Sequence, residues 1–169
     1  MRWDGARPHH ATDGASQATD EEFVREALRE ADTGFSAGEV PVGAVVVFEG
    51  AVIARAHNAP IALGDPTAHA EVLALREAAR VRGNYRLSGA ELFATVEPCV
   101  MCCGAALHAR VARVVYGAPD PKAGGVESLY RLLDDPRMNH RIVVRSGVLA
   151  DECGGLLRRF FETRRGSPS

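Results

Sequence analysis

Cys99 and Cys102 lie three positions apart, directly after Pro98, where a helix is expected to begin. Residues at i and i+3 share a helix face, so both sulfurs can reach one ion. A helix N-terminus favours the thiolate form that binds metal. The same spacing also suits a redox pair or two small packed side chains. His69 and Glu71 stand at the start of another expected helix. Two residues correspond to about 200° around a helix, so they do not bind one metal as neighbours on a regular face. In an opening turn they can still approach one pocket from different sides. Taken alone, His69 reads as an ordinary satisfied histidine, and Glu71 as a first-turn carboxylate favoured by the helix dipole.

The combination says more than its parts. His69-Ala70-Glu71, then 26 residues, then Pro98-Cys99-Val100-Met101-Cys102 follows the H-x-E…P-C-x-x-C signature of zinc nucleobase deaminases. One His and two Cys supply three protein ligands and leave a fourth coordination position, the pattern of a catalytic rather than a closed structural site. Two thiolates also cancel the charge of Zn²⁺. Cys103, four residues beyond Cys99, is read as a small packed thiol, since a fourth ligand would close the site. Cys153, beside Gly154 and Gly155, is read as a small residue packed close to a neighbouring element. Of the other histidines, His9 and His10 fall in the N-terminal tail, His108 on a helix face and His140 in a turn. Only His57, next to Asn58 at the end of an expected strand, stands where substrate contacts are plausible.

The elements that must position these residues belong to one domain. The chain has 169 residues, 46% of them hydrophobic and 25% charged, which excludes a mainly disordered chain. Its 4 Cys exclude a disulfide scaffold. No apolar run approaches the roughly 20 residues of a membrane helix. The N-terminus has no apolar signal segment, so the expected compartment is the reducing cytoplasm. The net charge of -2 is unevenly spread. Residues 1–106 carry a balance of -6 and residues 107–169 one of +4, with Lys122 the only lysine. A basic C-terminal part can meet phosphates, or be merely a solvated face.

Residues 1–18 read as a flexible tail, 19–165 as the zinc-dependent domain and 166–169 as a second tail. Thr19 and Glu22 form an expected capping box for a helix to about residue 34. Residues 42–48 and 51–56 read as a hairpin around Glu49-Gly50. Thr67 is an expected N-cap for a helix over 68–81. Strands follow at 92–96, 111–116 and 142–144, with helices at 99–110, 128–133 and 150–164. A first hairpin followed by alternating elements predicts a three-layer α/β/α fold on a central five-stranded mixed sheet.

From about residue 20 to 165 the chain resembles the bacterial tRNA-specific adenosine deaminases, of the cytidine/deoxycytidylate deaminase superfamily. The likeness rests on Glu39-Val40-Pro41-Val42-Gly43-Ala44, Asn58 with Pro60, and Asp65-Pro66-Thr67-Ala68-His69-Ala70-Glu71. It continues through Asn84-Tyr85-Arg86-Leu87, Glu97-Pro98-Cys99-Val100-Met101-Cys102, Gly117-Ala118 with Asp120, Met138-Asn139-His140-Arg141, Leu149-Ala150-Asp151-Glu152-Cys153 and Phe160-Phe161. The resemblance implies a cytidine deaminase-like fold. It implies that His69, Cys99 and Cys102 hold one zinc ion and that Glu71 moves protons from the attacking water to the ring nitrogen and the leaving amine. Asn58 would hydrogen-bond the base, Val42 and Ala70 would line the pocket, and Asp120 would contact a flanking nucleotide. It further implies a homodimer that converts the wobble adenosine, position 34, of an arginine tRNA anticodon stem-loop to inosine. Phe160, Phe161, Arg164 and Arg165 on the last helix are candidate RNA contacts, with Arg158 and Arg159 adding charge. Cys103 stands where a small residue such as Ala is expected, and His57 where relatives often carry an aromatic that could pack on a flanking nucleotide. Two rival functions remain. One is a deaminase of a free base or nucleoside of guanine or cytosine type. The other is a non-enzymatic zinc module, which would have no use for Glu71.

Overall fold

The computed structural model describes residues 14–166. Residues 1–13 of the expected tail 1–18, and 167–169 of the expected tail 166–169, lie outside the described residues, whereas residues 14–18 are helical. The elements in chain order are α1 (Gly14–Ser36), β1 (Gly43–Phe48), β2 (Ala51–His57), α2 (Pro60–Leu63), α3 (Ala70–Arg82), β3 (Glu91–Val96), α4 (Val100–Ala109), β4 (Arg113–Ala118), β5 (Val143–Arg145) and α5 (Ala150–Arg165).

The run Ala44-Val45-Val46-Val47 in β1 is fully buried, because both faces of the sheet are covered. Ala44 and Val46 face a cluster shared with α3 and α4, whereas Val45 and Val47 face a second cluster built with Val24 and Ala27 of α1 and Cys153 of α5. The result is the expected α/β/α sandwich. The sheet has five strands in the order β2-β1-β3-β4-β5. β1 is antiparallel to β2 and β3, and β3-β4-β5 are parallel, so the sheet is mixed as expected. The β1–β2 turn has positive φ at both Glu49 and Gly50, the primed geometry that suits a twisted hairpin. Gly43 is required by close approach: a Cβ there would lie 1.9 Å from the Ala27 carbonyl oxygen of α1.

β2 and β3 run in the same direction, each being antiparallel to β1. The helices that follow them, α3 and α4, therefore start at one end of the sheet. This brings His69 and Cys99 together across thirty residues of sequence.

Four expectations are corrected. α1 begins at Gly14, so Thr19 lies inside the helix and cannot cap it. Residues 60–66 include one helical turn, α2, opened by Pro60 and closed by Gly64 in the left-handed region. α3 begins at Ala70 with His69 at the N-cap, not after Thr67. Asp65 binds both the N–H and the hydroxyl of Thr67 in a turn, and the Asn58 side chain accepts the Ala70 N–H instead. Residues 128–133 form no helix. The backbone N–H groups of Val126, Glu127 and Ser128, which a helix would leave at its start, all bind the Glu97 carboxylate.

α1 is fastened to the far side of the sheet by charge. Asp20, fully buried, forms ion pairs with Arg113 of β4 and Arg145 of β5, and Arg113 also reaches Glu91 at 2.6 Å. Burial alone would raise the Asp20 pKa, but the two guanidinium groups outweigh it and hold the carboxyl below its usual range. This stability is present above the ordinary Asp value near 3.8 and is lost as pH falls through the lower folded value. Asp20→Asn should destabilise the domain by about 2–3 kcal/mol, because the arginines it leaves behind are partly solvated. Thermal denaturation at pH 7 checks this, and the gap between variant and parent should narrow as pH falls below the ordinary Asp value.

Candidate metal centre and active site

His69 and Cys99 occupy equivalent places, each the N-cap of a helix that starts at the same end of the sheet. Both have extended backbone and neither side chain caps its own helix. The two side chains are thus free to turn toward each other. Cys102, one turn into α4, points the same way. The His69 Nδ1 atom lies 3.6 Å from both sulfurs, and the sulfurs lie 3.7 Å apart. A tetrahedral ion with Zn–S near 2.3 Å and Zn–N near 2.1 Å places its donor atoms about 3.6–3.8 Å apart. The donor triangle therefore fits zinc in size as well as in chemistry. Among the described residues it is the one cluster of such groups that could hold a metal.

The electrostatics follow from crowding. Cys99 is brought down to about 4, chiefly because the Cys102 thiol donates to its sulfur, with His69 and the Cys102 N–H helping against burial. Cys102 is pushed up as the donor of that pair and by burial. His69 is raised, first by its hydrogen bond with Cys99, against the effect of burial. Glu71, only 4% exposed, is lifted to about 7 by desolvation, with its contacts to His69 and Cys102 opposing. It touches Cys102 but stands outside the donor triangle.

The remaining expected residues are placed as follows. Asn58 is buried, and its Oδ1 accepts the Ala70 N–H at 2.8 Å, so its amide nitrogen is left as a donor. Val42 is half-buried beside the α3–α4 cluster, and Ala70 is fully buried in it. Asp120 turns Oδ1 back onto the N–H groups of Lys122 and Ala123. Cys103 is buried with its sulfur on the Pro98 carbonyl oxygen, apart from the triangle. Cys153 packs so tightly on Gly117 that a Cβ there would lie 2.4 Å from its sulfur.

Several expected contacts look elsewhere. His57 faces α1, with its Nδ1 3.3 Å from Glu30 and its Cβ against Gly34, on the opposite sheet face from Cys102. Phe160 is buried edge-on against Phe35, whereas Phe161 is 46% exposed. Arg164 binds the Gly38 carbonyl oxygen and stacks over Phe160 at 4.8 Å. Arg158 and Arg159 line a groove against α1 that also holds Asp32, Asp151 and Glu152. Arg165 is exposed. Of the basic residues in 107–169, Arg113 and Arg145 pair with Asp20, while Arg131 and Arg137 pair with Asp134 and Asp135.

Two carboxylates that shape the surroundings had no role assigned from sequence. Glu39, 2% exposed, accepts the N–H groups of Ile61 and Ala62 and fixes α2 beside Asn58. Glu97, also 2% exposed, binds the N–H groups of Asp120, Val126, Glu127 and Ser128 and the Ser128 hydroxyl. Burial would raise it, but the Ser128 hydroxyl and these N–H donors hold it low. The advance signal for both was their place in the stretches that carry the family likeness, each an acidic residue within two positions of a proline.

A family model for the cytidine and deoxycytidylate deaminase zinc-binding region matches residues 17–118. The chain is 49% identical over 146 residues to the tRNA-specific adenosine deaminase of Bacillus subtilis, covering 86% of this chain and 91% of that protein. A solved structure described as "Biochemical and Structural Studies of A-to-I Editing by tRNA:A34 Deaminases at the Wobble Position of Transfer RNA" is 44% identical, with a TM-score of 0.77 over 80% of this chain and 98% of that one. The guanine deaminase of Nitrosomonas europaea also superposes, with a TM-score of 0.73 at 25% identity over 95% and 98% of the two chains. The fold thus carries more than one base specificity, but identity near one half across most of the chain goes well beyond the ligand motif. The chain belongs to the cytidine and deoxycytidylate deaminase family, in the branch of the tRNA-specific adenosine deaminases.

Proposed function

We propose that this protein hydrolytically deaminates adenosine to inosine at wobble position 34 of a tRNA anticodon, with arginine tRNA as the expected substrate, in the cytoplasm. The observation that carries the reading is the buried carboxyl of Glu71 against a zinc-sized donor triangle, in a chain 49% identical to its Bacillus relative. Bound zinc lowers the pKa of a coordinated water, making a nucleophile available near neutral pH.

The rest of the chemistry falls to the side chains. Glu71 accepts a proton from the attacking water and returns protons to the ring nitrogen and to departing ammonia. Its elevated pKa suits a group that must both take and give a proton near neutrality. Asn58, held by the Ala70 N–H, donates from its amide nitrogen to the base edge. Val42 and Ala70 exclude water around the ring. Asp120 retains one carboxylate oxygen for a flanking nucleotide, and the exposed Phe161 and Arg165 offer stacking and phosphate contact. A loop base is already unpaired, so presenting it costs little.

A second copy of the chain fits the outer face of α4. Val100 is 48% exposed there, Met101, Gly104 and Ala105 are half-buried, and Leu129 and Tyr130 are exposed alongside. A helix apolar on its outer side is one that a partner covers. Among the described residues no helix is long and apolar enough to cross a membrane.

Five outcomes test this reading. Purified protein should hold one zinc per chain by elemental analysis. Cys102→Ala should lose it, and Cys103→Ala, whose sulfur faces Pro98, should keep it. Glu71→Gln should retain zinc while turnover falls by about 10²–10⁴-fold or more, and an active or zinc-free variant refutes the assigned role. Sequencing of total tRNA after incubation should show inosine at position 34. An anticodon stem-loop should also be deaminated far faster than free adenosine or guanine, and a preference for free guanine would instead establish the small-molecule reading. RNA binding should weaken with salt, with Arg165→Ala reducing the log–log slope by about 1.

A further inference from the structure

We infer that Glu97 is a positioning residue, whose carboxylate holds residues 120–128 against the start of α4 so that this loop can take part in substrate binding. The inference rests on the deaminase reading above.

Little of the loop is held by apolar packing. Within residues 120–128 only Gly124, Gly125 and Val126 are buried, and two of those have no side chain. A loop without a core of its own must place its N–H groups on some acceptor. Oε1 of Glu97 accepts from Val126, Glu127 and Ser128 at 3.2, 2.7 and 2.9 Å, and Oε2 accepts from Asp120 at 3.0 Å and from the Ser128 hydroxyl. The fit is close: a Cβ on Gly124 would stand 2.3 Å from the Glu97 carboxyl carbon.

The same loop is joined to the metal ligands. Gly124 pairs with Cys99 in a β-bridge, and the Gly125 N–H binds the Pro98 carbonyl oxygen at 2.8 Å. A Cβ on Gly125 would meet the Val100 nitrogen at 3.0 Å. The exposed part of the loop carries Lys122, the only lysine of the chain. A cation on a loop bonded to the metal-ligand segment is a group that can meet the backbone of single-stranded nucleic acid. Glu97 touches neither the donor triangle nor the solvent. It acts through the loop it gathers.

Glu97→Gln keeps the size of the side chain and replaces one acceptor oxygen by an NH₂ facing N–H donors. Amide hydrogen exchange should quicken by about tenfold or more at Asp120, Val126, Glu127 and Ser128 and stay slow in β3 and β4. One zinc per chain should remain. KM for the stem-loop, and its Kd by fluorescence anisotropy, should rise about 10–100-fold with kcat little changed, the mark of lost uniform binding. Gly124→Ala, which pushes the carboxylate away from the other side, should reproduce the rise. Loop amides that exchange faster while KM and Kd stay at parent values overturn the inference, as does loss of zinc or a fall confined to kcat. An inactive parent protein that still binds the stem-loop would refute the deaminase reading alone, leaving the Kd of the two variants to decide. A parent that neither reacts nor binds overturns both.

Discussion

Three donor atoms, 3.6–3.7 Å apart, come from two chain positions thirty residues distant, and the rest of the architecture is arranged around that meeting. It requires two helices to begin at the same end of one sheet. β2 and β3 achieve this by flanking β1 and running opposite to it, so that α3 and α4 both start where those strands finish. Both starts are positive dipole ends, which favour thiolate over thiol. The N-cap positions, commonly taken by side chains that bind their own helix, are here occupied by His69 and Cys99, which do not. Asn58 takes over that duty for α3, and a base-recognition candidate thereby becomes part of the support for a ligand.

Around this centre, polar groups do what apolar packing does elsewhere. Glu39 gathers α2, Asp65 shapes the approach to α3, and Glu97 gathers the loop beside α4. Short surface segments lack the area to build a hydrophobic core, and a buried carboxylate aimed at several N–H groups fixes them with few atoms. Such networks are favourable only when complete. Among the described residues, no buried side-chain nitrogen or oxygen is left without a partner.

The ligand set was legible because its meaning is carried by spacing and residue type, which need no tertiary knowledge. The hairpin at Glu49-Gly50 and the buried run of β1 were legible for the same local reason. What escaped the sequence depends on distant partners. Thr67 carries every local mark of a cap, yet Asp65 and Asn58 between them reassign it. Residues 128–133 have a helical pattern, but a carboxylate thirty positions earlier takes the N–H groups. His57 lies beside Asn58 in sequence and on the opposite face in space, because adjacent strand residues alternate. The partners of the basic residues were not legible either, since Arg113 and Arg145 pair with an aspartate 93 and 125 positions earlier. The likeness to a known family carried the substrate, which neither spacing nor charge could specify.

The lock between Asp20, Arg113 and Arg145 has a consequence for synthesis. Its partners are separated by 93 and 125 residues, so the first helix to leave the ribosome depends on some of the last segments to follow it. Until β4 and β5 emerge, α1 carries a carboxylate without these counter-charges. Contacts this distant along the chain form late and slow folding. α1 can dock first on β1 through Val24 and Ala27, but its carboxylate gains its counter-charges only when β4 and β5 emerge, and until then chaperones and proteases have their widest access to that end of the helix.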